Sequence, residues 1–98
     1  MVQHIGMLQF KPGTSDAQVT EVLQGLVQLK DSVPGLVGFT AGRNHSPEGL
    51  DQGFTHGFIA TFKDKAARDT YLDHSAHVKF KNAALPFVAN VVVVDFDA

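Results

Sequence analysis

The chain has 98 residues, a formal net charge of −2 with histidines neutral, 44% hydrophobic and 9% aromatic residues including eight Phe, and no cysteine. This length suits one domain, residues 1–98, that buries about 65% of its unfolded surface in a thin core. The composition excludes a disordered chain, the missing cysteines exclude disulfides and thiolate metal sites, and Lys and Arg are too few and scattered for a nucleic-acid surface.

No membrane span is expected: the longest apolar run near the C-terminus, residues 91–94, is four valines, far short of a bilayer. The opening MVQHIGMLQFKPG has no charge ahead of its apolar part and no cleavage-like pattern. No signal peptide is therefore expected, and the cytoplasm is the expected compartment.

Residues 2–11 read as a strand with apolar side chains on both faces, Ile5 and Met7 on one and His4, Leu8 and Phe10 on the other. Pro12-Gly13 ends it. Ser15 and Gln18 form a capping box for a helix whose apolar positions run Val19, Val22, Leu23, Leu26, Leu29 and Val33. Pro34-Gly35 stops it. A second strand spans 36–41 and a surface loop 42–53. The third strand, 54–62, puts Phe54, His56, Phe58, Ala60 and Phe62 on one face. Asp64 caps a helix from Lys65 to about Leu72, a second helical stretch covers 75–84, and Pro86 breaks it. A last strand, 87–96, is dense in Val and is expected to be buried on both faces.

The order β-α-β-β-α-β predicts an α+β fold with both helical layers on one face of a four-stranded antiparallel sheet, the ferredoxin-like arrangement. The other sheet face then has no cover within the chain. Soluble proteins avoid large exposed apolar patches, so a second copy pairing face to face is expected, a dimeric α+β barrel.

Several segments, taken in order, are similar to the stress-responsive A/B barrel (Dabb) family. They are the strand from His4 to Phe10-Lys11, the helix stop at Pro34-Gly35, and the loop Gly42-Arg43-Asn44-His45-Ser46-Pro47-Glu48-Gly49. Phe54-Thr55-His56, then Tyr71, His74, Ala76, His77 and Val78, and the closing Asp95-Phe96 complete the set. The family usually has Pro where this chain has Ser75; Ser is read as able to cap the same stretch. The resemblance implies a homodimer and no cofactor, and it implies no single reaction. Within the family, the olivetolic acid cyclase branch folds linear polyketides by aldol chemistry using two strand histidines and a Tyr followed six residues later by His. Here those positions are His4, His56, Tyr71 and His77.

Those four tips, with Phe58 beside them, are expected to meet in an apolar pocket between sheet and helices, the usual form of a small-ligand site. Buried histidine stays a base at neutral pH. His77 is thus the candidate base and Tyr71 the candidate donor to an enolate or carbonyl oxygen, with His4, His56 and Phe58 as ligand-binding residues. The plainer alternative for each is structural: a satisfied core histidine, or a core tyrosine whose hydroxyl finds a partner. His74 and His77 lack a clear third metal ligand beyond Asp73, so no metal is assigned. Asp95 is read as pairing a basic group or marking the strand exit, Arg43 and Asn44 as turn residues, and Lys79 and Lys81 as solvated. Three functions follow: a binder of a small organic ligand, carbonyl or aromatic; a cofactor-free acid–base enzyme of the cyclase or aldol type; or a structural stress protein with a filled pocket.

Overall fold

Chain order in the computed structural model, which describes residues 1–98, is β1 (Val2–Phe10), α1 (Asp16–Gln28), β2 (Leu36–Arg43), β3 (His56–Phe62), α2 (Lys65–Asp73), α3 (Ser75–Ala84) and β4 (Val88–Asp97). The strands form one antiparallel sheet in the order β2-β3-β1-β4, with β1 and β3 central. The expected ferredoxin-like α+β architecture is present.

Helix starts follow local chemistry. Ser15 Oγ accepts from the Gln18 N–H while the Gln18 side chain accepts from the Ser15 N–H, the reciprocal capping box. Asp64 accepts from the Ala67 N–H. At α3, however, the cap is His74, whose Nδ1 accepts from the Ala76 N–H at 3.0 Å, and Ser75 is the first helical residue. A ring nitrogen two residues ahead reaches the free N–H as well as a hydroxyl does. The periodicity expected through Val33 is split: α1 ends at Gln28 and a 3-10 turn, Leu29–Asp31, follows. The tighter turn still buries Leu29 and Val33.

The third strand begins at His56 rather than Phe54. Gln52 and Gly53 both have positive φ, 53° and 89°, and the Phe54 N–H donates to the Asp51 carbonyl, so the chain is still turning at Phe54.

Opposed residues in an antiparallel ladder share a face. The inner, helix-covered face therefore carries Val2, His4, Leu8, Phe39, Phe58, Ala60 and Phe62, all buried. The outer face carries Ile5, Met7, Ile59, Val92, Val94 and Phe96. The last strand corrects an expectation: it is not buried on both faces, since Val94 and Phe96 are 55% and 51% exposed and Val91 and Val93 on the inner side are also open. As an edge strand, β4 is covered only in part by the helical layer, Arg68 of α2 reaching Asp95 while Val91 and Val93 stay open, and its outer face has no cover within the protomer.

Candidate functional site

A cavity of about 380 Å³ lies between the inner sheet face, α1, and the α2–α3 junction. Its wall is almost entirely apolar, including Val22, Leu26, Phe58, Phe80 and Val88, and three polar side chains of the predicted set enter it: His4, Tyr71 and His77.

Register sets the first of these. His4 on β1 faces Asp95 on β4, and its Nδ1 lies 2.6 Å from the Asp95 carboxylate. A carboxylate only accepts here, so the bond places a proton on Nδ1. Arg68 on α2 donates to the other Asp95 oxygen at 2.6 Å and to Asp69 at 2.8 Å. Burial acts to raise the Asp95 pKa, but the hydrogen bonds from Arg68 and His4 prevail and hold it below the ordinary carboxylate value. His4 is thus fixed in orientation, at 6% exposure, with its ring tilted against Phe58 at 5.8 Å.

Tyr71 lies three residues after Arg68, on the same side of α2. Its ring is 1% exposed and packs on Phe62 at 5.0 Å, while its hydroxyl has no hydrogen-bond partner in the protein. Burial pushes its pKa up to about 12, so it is a donor at every physiological pH. The chain breaks at His74 and restarts as α3, which brings the His77 ring to 4.2 Å from Tyr71, tilted by 31°. His77 Nδ1–H donates to the Leu72 carbonyl at 3.2 Å, leaving Nε2 as a free acceptor. Burial lowers the His77 pKa, Lys81 and His4 act in the same direction, and the Leu72 bond opposes them.

Phe58 lines the cavity as expected, and its position depends on Gly6 directly across the ladder. A Cβ at Gly6 would lie 2.2 Å from two carbons of the Phe58 ring. Glycine is therefore what lets the aromatic ring lie across β1 beneath His4.

His56 corrects the expected four-residue cluster. It is on the inner face but four ladder positions from His4, since His4 pairs with Ala60 and His56 with Leu8. That is roughly 13 Å along the strand. Its ring packs edge-on against Phe10 at 5.2 Å, and Nδ1 lies 2.8 Å from the Thr55 hydroxyl. It lines a separate, polar hollow with Arg43, Asn44 and Asp51 at the loop end. Burial, then Arg43, lowers its pKa. Asn44 and Asp51 are engaged in loop hydrogen bonds, as turn residues. No three His, Cys, Asp or Glu side chains converge as metal ligands.

Sequence reasoning passed over Arg68 and underrated Lys81. Arg68 had a readable signal, one helical turn before Tyr71. Lys81 is exposed, yet it is also part of the cavity wall, four residues after His77 on the same helix face.

A family model described as Stress responsive A/B Barrel Domain matches residues 2–98. The stress-response A/B barrel domain-containing protein HS1 of Arabidopsis thaliana is 35% identical over 95 residues, covering 97% of this chain and 87% of that protein. Olivetolic acid cyclase of Cannabis sativa is 26% identical over 95 residues, covering 97% of this chain and 94% of the cyclase. Among solved structures, a dimeric ferredoxin-like protein from Jannaschia sp. CCS1 superposes with a TM-score of 0.86 at 29% identity, covering 99% of this chain and 98% of its own. No helix is long and apolar enough to cross a membrane.

Proposed function

The chain belongs to the stress-responsive A/B barrel domain family, and from that premise we propose that it acts as a homodimer whose inner cavity binds a small organic ligand bearing a carbonyl or aromatic group. One observation carries this reading: an apolar cavity of about 380 Å³ on which a tyrosine hydroxyl and two imidazole rings, those of His4, Tyr71 and His77, converge. A few convergent polar groups in an apolar wall fix a ligand's orientation, while the wall supplies the affinity. The outer face, with Met7, Ile59, Val92, Val94 and Phe96 exposed around a half-buried Ile5, supports the homodimer, as does the dimeric structural relative.

A second reading has its own support in the stacked Tyr71–His77 pair and in the similarity to olivetolic acid cyclase. It is cofactor-free acid–base chemistry. His77 Nε2 takes a proton from a carbon flanked by carbonyls, and the Tyr71 hydroxyl donates to the oxygen that gains charge. His4, held by Asp95, forms part of the wall that positions the substrate. Preorganised groups in an apolar wall suit enolate formation because they need no rearrangement as charge develops. An open cavity speaks against the purely structural reading, which needs the space filled.

Thermal shift against small aromatic acids, β-dicarbonyls and acyl compounds, with wild type and His77→Ala side by side, tests binding. A compound that raises the melting temperature of wild type more than that of the variant supports the cavity as the site. If no compound moves either protein, the binding reading fails. Exchange of the central C–H of a β-dicarbonyl with deuterated water separates the two readings: enzyme chemistry predicts faster exchange with wild type than with His77→Ala or Tyr71→Phe, and simple binding predicts equal rates.

A further inference from the structure

The cavity wall is asymmetric in charge. None of its side chains is acidic, and the only permanent cation among them is Lys81. The Asp95 carboxylate behind His4 does not pair with it: its two oxygens bond His4 and Arg68. Lys81 itself makes no ion pair: the salt bridges of the chain join His4, Lys65 and Arg68 to Asp95, Asp97 and Asp69. A lysine that is exposed, unpaired and part of an apolar wall runs its methylene stem along that wall and holds its ammonium at the rim.

Helix α3 repeats the same side of its surface at His77, Lys81 and Ala84, all of which line the cavity. Lys81 is therefore one turn from His77, roughly 6 Å along the axis. The two polar ends of the cavity differ in kind. The inner end offers a tyrosine hydroxyl and two imidazole rings; the rim offers one permanent positive charge. Between them the wall is apolar, with Val22 and Leu26 from α1 and Leu85 and Val88 beyond α3. A cationic ligand would meet repulsion from Lys81 with no acid to offset it. A neutral ligand would leave the ammonium in water. An anionic head on an apolar body matches both features at once.

Building on the cavity reading above, we infer that the ligand class of this site is an apolar-bodied carboxylate, with its carboxylate docked on Lys81 at the rim and its body directed toward Tyr71 and His77. Lys81 is then a specificity-determining residue, selecting for the charged head and not for the chain. An exposed ion pair of this kind gives a modest gain, and salt weakens it.

The test is calorimetric titration of the whole protein at low ionic strength with octanoate and octanamide, which share a chain and differ in charge. Wild type, Lys81→Gln and Lys79→Gln are compared; Lys79 is exposed and lies outside the cavity wall. The expected result is that wild type prefers octanoate by about three- to fivefold. Lys81→Gln should lose that preference while its affinity for octanamide stays unchanged, and Lys79→Gln should behave as wild type. Added salt should shrink the preference in wild type alone. Equal binding of both compounds to wild type, or a preference that survives Lys81→Gln, overturns the carboxylate assignment and leaves the cavity reading standing. Binding of neither compound also overturns the carboxylate assignment, and the thermal-shift set above then decides the cavity reading.

Discussion

Gly6→Ala tests the packing beneath the candidate site. The new methyl would start 2.2 Å from Phe58 Cε2 and Cζ, whereas carbon atoms rest at about 3.5–4.0 Å. The ring must therefore retreat by roughly 1.3–1.8 Å. It is held on two sides, by Phe39 at 5.7 Å and His4 at 5.8 Å between centroids, so the open direction is the cavity. β1 is a central strand paired on both edges and cannot yield. Overpacking of this sort costs about 1–3 kcal/mol, and a fixed backbone places the cost near 2–3. For a domain of this size that lowers the melting temperature by about 8–24 °C. Urea unfolding at constant protein concentration measures it, since the stability of a dimer depends on concentration. The double variant Gly6→Ala/Phe58→Leu removes the clashing ring edge and should be more stable than the sum of the two singles by at least about 1.5 kcal/mol. Additivity within about 0.5 kcal/mol would refute the steric account.

Asp95→Ala leaves the buried His4 N–H without its acceptor and should cost about 1–3 kcal/mol in urea unfolding; a loss below about 0.5 kcal/mol would show that His4 is not held by this bond. The pH dependence follows from depressed folded-state values. His77 lies below its ordinary 6.5 and Asp95 below its ordinary 3.8, so the unfolded chain takes up each proton first as pH falls. Stability should be full above pH 6.5, decline below it as His77 and His56 take up protons, and decline again below the ordinary carboxylate value. His77→Gln should shrink the upper step and leave the His56 share, and a curve identical to wild type would contradict the burial of His77. Val94→Asp places a charge on the uncovered outer face and should shift the protein from dimer to monomer in light scattering; an unchanged mass would move the interface elsewhere.

Much of the fold was legible because local rules and burial agree. The Ser15–Gln18 box, the Pro34-Gly35 stop and the alternation from His56 to Phe62 each point to the element that forms. β4 was misread as buried on both faces for a physical reason: a run of valines records that a strand will be covered, but not whether the cover comes from its own chain. The site was legible in part. Tyr71 and His77 converge because the break at His74 lies between them, and His4 follows from strand alternation. His56 shares that alternation yet lies about four residues along the ladder, and distance along a strand does not show in a face pattern. Asp95 and Arg68 meet only through register and helix placement, which pairwise spacing does not encode.

The most direct test of the site is side-chain nitrogen NMR of the five histidines during titration with octanamide, which is neutral and so independent of Lys81. The account predicts that His4 and His77 carry the proton on Nδ1 at neutral pH. Their Nε2 signals should move on titration, while those of His45, His56 and His74 stay in place. Movement confined to His56 would shift the site to the loop hollow, and Nε2-protonated His4 and His77 with no movement would contradict the proposed pocket.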